Sequence, residues 1–146
     1  MGAYKAGKKT AGDAVHIIQD HIHGSSCVYP TLAVGTTVTG HATAWTLGAA
    51  FQEVIPASTI GSPFDIHHID VEGISADGTY ELVLYAVETE IGRVRASFSG
   101  IANSIALASV PFQCKIQDAD TQIQAKVASS SGGEDTITIS LHYHTY

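Results

Sequence analysis

Eight histidines stand in this chain, and two pairs of them, His21 with His23 and His142 with His144, are separated by a single residue. On a strand that spacing puts both imidazoles on one face, where neutral rings can share a metal ion. Two carboxylate pairs, Asp70 with Glu72 and Glu88 with Glu90, have the same spacing. Glycoside hydrolysis needs two carboxyls held across a cleft, whereas adjacent acids on one strand face ordinarily solvate it. Ser, His and Asp are all present, but no G-x-S-x-G elbow places a serine on a strand-to-helix turn. No phosphate-cradling glycine loop occurs either. The residue types for catalysis exist without their arrangements, so the chain reads as a non-enzyme with no cofactor.

The first histidine pair also tests a specific metal pattern. In cupins an H-x-H pair is followed within a few residues by a glutamate, but here His23 runs into Gly-Ser-Ser-Cys-Val-Tyr-Pro and the next glutamate is Glu53. The third ligand is missing, and no catalytic metal is expected. The histidines then read as solvent-facing or interface residues. His142 and His144 are the interface candidates, and three copies of either could converge on a symmetry axis around a structural ion.

Such residues need elements to position them. At 146 residues the chain fits one domain, which buries roughly 68–70% of its unfolded surface. Apolar residues make up 45% and charged residues 14%, well below the ~25% of an average soluble domain. Thr, Ser, Gln, Ala and Gly take the place of charge, a palette suited to half-solvated strands. The net charge is −7, with Lys5, Lys8 and Lys9 clustered at the start. The remaining body lacks the basic face that phosphate neutralisation requires, which argues against nucleic acid as a partner. No segment reads as a signal peptide, and none approaches the ~20 apolar residues of a membrane span. Cys27 and Cys114 fit no zinc or redox spacing and read as two buried thiols, although a disulfide stays open.

Residues 1–30 are expected to form an N-terminal arm or attachment segment, and residues 31–146 a β-sandwich. Within the arm, Val15, Ile18 and Ile22 have helical spacing behind an Asp13 cap, with a strand as the competing reading. Beyond Thr31, strand signals recur every 8–12 residues or so. Trp45 to Ile55 alternates and places Trp45 in the core. Phe64 to Ile74 switches parity at His67-His68, which predicts a β-bulge. Tyr80 to Val87 is apolar on both parities, so Val83, Tyr85 and Val87 should meet another subunit or the N-terminal region. Gly92 to Phe98 turns Arg93 and Arg95 outward to pair with Glu81 or Glu88. Residues 99–109 read as a surface loop. The last third reads as a three-stranded meander: Phe112 to Ile116, Ile123 to Val127 and Ile137 to Tyr143.

From Trp45 to Tyr146 the chain resembles a family of small virion structural proteins of tailed bacteriophages, of the capsid decoration or cement type. The resemblance is carried by AWTLGAAFQEVIPASTI, FDIHHIDVEG, GTYELVLYA followed by EIGRVRASF, and the ending IQAKVASSSGGEDTITISLHYHTY. It implies an all-β, jelly-roll-like antiparallel sandwich that joins copies of itself, as a homotrimer, and binds the major capsid protein or another virion protein. Its place would be the outer surface of the particle, assembled in the host cytoplasm, where it stabilises the head. The lysines Lys5, Lys8 and Lys9 would then serve attachment. The alternative is a carbohydrate-binding β-sandwich module on a tail or fibre, with Trp45, Tyr29, Tyr143 and Tyr146 as stacking platforms.

Overall fold

Where apolar residues recur at every second position the backbone extends, and the apolar side closes against a second sheet. The computed structural model describes residues 26–99 and 108–146. Lys5, Lys8, Lys9, His21, His23, the 13–22 segment and most of the Ser/Ala/Gly-rich connection lie outside them. The strands among the described residues are β1 (Ser26–Tyr29), β2 (Thr36–Thr39), β3 (Gln52–Ile55), β4 (Phe64–Ile74), β5 (Gly78–Ala86), β6 (Thr89–Phe98), β7 (Ala108–Pro111), β8 (Ile123–Ser129) and β9 (Thr136–Thr145). No helix occurs among these residues.

One sheet runs β1-β9-β4-β7 with β2 also on β9, and the other runs β3-β8-β5-β6. All pairings are antiparallel, and they nest: β5 with β6, β4 with β7, β3 with β8, β2 with β9. A long hairpin rolled on itself in this way is the jelly-roll form of the sandwich. The expected fold class is therefore present. The core lies between the sheets, with Phe64, Ile66, Ile69, Ile139 and Leu141 facing Tyr80, Leu82, Leu84, Ile123 and Val127. The bulge expected at His67-His68 is there, because the β4–β9 register shifts between Ile66 and His68.

Four expectations are corrected. Ser26–Tyr29, assigned above to the arm, is β1 and pairs with β9, so this part of residues 1–30 belongs to the sandwich. The three last strands are not a meander, since β8 and β9 sit in different sheets; an inward-outward alternation looks the same in either sheet. Phe112 to Ile116 is not a strand. Phe112 N–H bonds to His67 O at 2.7 Å, so this stretch runs beside the bulge, where a regular ladder cannot form. Finally, only Gln52–Ile55 of the Trp45 to Ile55 segment is a strand. Trp45 has φ 56°, which breaks the extended backbone that the parity argument assumed. Residues 45–51 still follow β8, through Trp45 N–H to Ser129 O at 2.8 Å and Gly48 N–H to Val127 O at 3.0 Å. Gly48 allows this path, because a Cβ there would stand 2.2 Å from Thr39 O.

Candidate functional site

The outer face of the β3-β8-β5-β6 sheet gathers aromatic rings and paired charges. β5 and β6 register Glu81 against Arg95 and Val83 against Arg93, so one carboxylate lies within reach of two guanidiniums. Arg93 donates to Glu81 Oε1 at 3.0 Å and bidentately to Glu90 at 2.8 and 2.6 Å. Arg95 donates to Glu81 Oε2 through both Nε, at 3.0 Å, and Nη2. The Arg95 hydrogen bond is the main reason the Glu81 carboxyl is held below the ordinary glutamate range. The hydrogen bond from Arg93 does the same for Glu90. Glu81 is thus a confirmed partner for both arginines, but the second acid is Glu90, not Glu88. Glu88 sits in the β5–β6 turn, where its N–H bonds to Gln124 Oε1.

Aromatic rings line this face. The Arg95 guanidinium lies over the Trp45 ring, 4.7 Å from its centroid. Lys126 Nζ stands 4.0 Å from the Phe51 centroid and donates to Ala49 O at 2.9 Å. Phe51 meets Tyr85 edge-on with centroids 4.9 Å apart. Trp45 remains 49% exposed, which corrects its expected core position.

The interface candidates from the sequence fall in different places. Val83 is 0% exposed without any second chain, and its cross-strand neighbours are Arg93 and Lys126, residues whose long apolar stems suit them to cover such a position. The second face of β5 is therefore covered by this chain itself. Tyr85 is half-buried beside Phe51. Val87 is 63% exposed and lies beyond the strand, in the turn. His142 and His144 project from the other sheet. The four aromatic platforms do not form one surface either. Tyr29 and Tyr143 pack against the core, and Tyr146 lies at the end of β9, its hydroxyl donating to Asp65 Oδ2 at 2.9 Å. Cys27 and Cys114 form no disulfide with each other.

On that other outer face imidazoles and carboxylates pair along β4 and β9. His142 Nε2 is 2.5 Å from Asp70 Oδ2, and Glu72 accepts from Ser140 Oγ and from Gly35 N–H, the latter at 2.7 Å. His144 instead meets His67, with ring centroids 4.2 Å apart, and His67 Nε2 is 2.6 Å from Asp65 Oδ1. The spacing that would let His142 and His144 share an ion instead gives each imidazole a different partner on β4. Asp65, His67 and His144 form the one group among the described residues whose donors converge closely enough to hold an ion. Sequence reading missed Asp65 and His67. Their D-x-H spacing, directly before the recognised bulge, was the available signal.

No family model matches the chain, and no curated protein matches it. Among solved structures it is similar in shape to the CBM36-1 domain of a multidomain xylanase from the hindgut metagenome of Trinervitermes trinervoides, at 10% identity over 82% of this chain and 95% of that one, with a TM-score of 0.47. A second likeness is the C-terminal CBM6 of LamC, a marine laminarinase from Zobellia galactanivorans, at 17% identity over 75% of this chain and 100% of that one, with a TM-score of 0.31.

Proposed function

We propose that this chain is a binding module that takes glycans on the outer face of its four-stranded sheet. A sugar ring offers an apolar face of C–H bonds and an edge of hydroxyls. An indole can stack on the first, and fixed carboxylates, guanidiniums and amides can hydrogen-bond the second. The observation that carries the reading is Trp45, half-exposed beside Arg95 at the margin of a face where Glu81, Arg93 and Glu90 already hydrogen-bond one another. Such preorganised partners lose little freedom when a ligand arrives.

The test is binding of the full chain to a glycan array, followed by titration of the best ligand. Trp45→Ala should lower affinity at least tenfold, about 1.4 kcal/mol, with the thermal midpoint nearly unchanged. An array without binding, or a Trp45→Ala chain that binds as tightly, would overturn the reading.

Capsid decoration is the second reading, favoured by exposed apolar side chains. Leu32 and Val34 stand out in the β1–β2 connection and Val87 stands out at a hairpin tip, as a protein that docks on a particle surface would present them. Together with the virion resemblance they support attachment to the major capsid protein on the outside of a phage head. Leu32→Ser with Val34→Ser should then reduce decoration of purified particles and their resistance to heat. Unchanged occupancy would remove these residues from the contact.

A further inference from the structure

We infer that Asp65, His67 and His144 form a binding site for one divalent first-row transition ion, of the zinc class, on the outer face of the five-stranded sheet. The register sets it up. Asp65 lies directly across from His144 in the β4–β9 ladder, and the bulge between Ile66 and His68 turns His67 to the same side, against the His144 ring. Re-aiming a side chain is a recurrent use of such bulges.

One donor atom from each of the three residues lies within 4.8 Å of the other two. With metal–ligand bonds of about 2.0–2.2 Å, tetrahedral donors stand about 3.3 Å apart. The 2.6 Å contact of His67 with Asp65 therefore has to open by about 0.7 Å, and the widest donor pair to close by up to about 1.5 Å, shifts within the reach of side-chain rotation. Two imidazoles and one carboxylate suit zinc, cobalt or nickel better than calcium or magnesium, which prefer oxygen throughout.

The surroundings fit a metal centre. Asp65 is buried, and its second oxygen is fixed by the Tyr146 hydroxyl at 2.9 Å, the kind of outer contact that orients a ligating carboxylate. Tyr146 is itself anchored by its N–H to Pro63 O at 2.9 Å. Asp65 and His67 also line an open cleft of about 560 Å3 with His68, Phe112, Gln113 and Cys114. Coordination positions that the protein leaves unfilled would face this cleft. Cys114 is not a fourth ligand. Its thiol, pushed up by burial, is engaged with the Ile66 backbone, at 3.5 Å to N and 3.9 Å to O.

Calorimetric titration of the chelator-treated full chain with zinc tests the site. One equivalent should bind, and cobalt should give visible ligand-field bands that zinc abolishes. His67→Gln and His144→Gln should each weaken zinc at least tenfold, and Tyr146→Phe about tenfold through the outer contact. His142→Gln and Cys114→Ser should leave affinity unchanged. Imidazole 15N spectra of the unmutated protein give a second readout that does not depend on how the variants fold. One equivalent of zinc should shift His67 and His144. The proposal falls if the wild type does not bind, if the His67→Gln, His144→Gln double variant binds equally well, or if the shifts fall on other histidines.

Discussion

Glu81 concentrates the electrostatics of the glycan face in one side chain. Its carboxyl is held down by Arg95 and Arg93, so folding favours its charged form. The resulting stability is fully present above the ordinary glutamate value near 4.5 and is lost as pH falls through the lower folded value. Both arginines are half-exposed, so solvent screening keeps the contribution to the order of 1 kcal/mol. Thermal midpoints measured between about pH 3 and 7 should fall on acidification in the wild type, and the gap to Glu81→Gln should narrow toward acid. In the core, Leu141→Ala should cost about 2–5 kcal/mol, read from chemical denaturation, because Leu141 is completely buried between the sheets. The Arg–Glu contacts could be read from the sequence, since cross-strand neighbours follow once a short hairpin fixes the register. Trp45 could not, because a single left-handed backbone angle removes a residue from the alternation without leaving a mark in its neighbours. The Asp65–His67–His144 group was only half visible. Its spacing within β4 is local, but its third member comes from a strand nearly eighty positions away.

Among the elements, the β5–β6 hairpin is locally determined and carries backbone strain at its turn. Its two-residue turn is Val87-Glu88, with φ 45° and 66°. Two left-handed residues make the turn that matches strand twist, yet Val87 is β-branched and pays sterically for that conformation. Replacing the pair by Asn-Gly should raise stability by about 1 kcal/mol, measured by denaturant midpoint at constant slope. The opposite sign is expected at Gly48→Ala, which drives a methyl into Thr39 O and should cost about 1–3 kcal/mol. Strand existence was legible for β4, β5, β6, β8 and β9, whose alternation is long. Sheet membership was not, because alternation records that one face is buried but not which sheet buries it. The short β2, β3 and β7 pair at edges and carry too few residues to show a period. The pattern at Val83 suggests a partner chain, because alternation cannot register that its cross-strand neighbours are the long-stemmed Arg93 and Lys126.

For the molecule as a whole, that self-covered strand removes the reason given by the sequence for a trimer. Self-association now rests on Leu32, Val34 and Val87. Light scattering at micromolar concentration should show a larger species if these side chains meet copies of the chain, and Leu32→Ser with Val34→Ser should shift it toward monomer. Deleting residues 1–12 should leave cooperative unfolding intact, since the nine described strands pair with one another from β1 onward. Removing residues 136–146 should abolish folding, as judged by loss of a cooperative thermal transition. β9 is the shared neighbour of β1, β2 and β4, so among the described strands it comes last in chain order yet lies in the interior of its sheet. On the ribosome the β5–β6 hairpin can close early, while β1, β2 and β4 must wait, edges open, until β9 has left the exit tunnel. Production of this protein should therefore depend on what shelters the nascent chain during that interval.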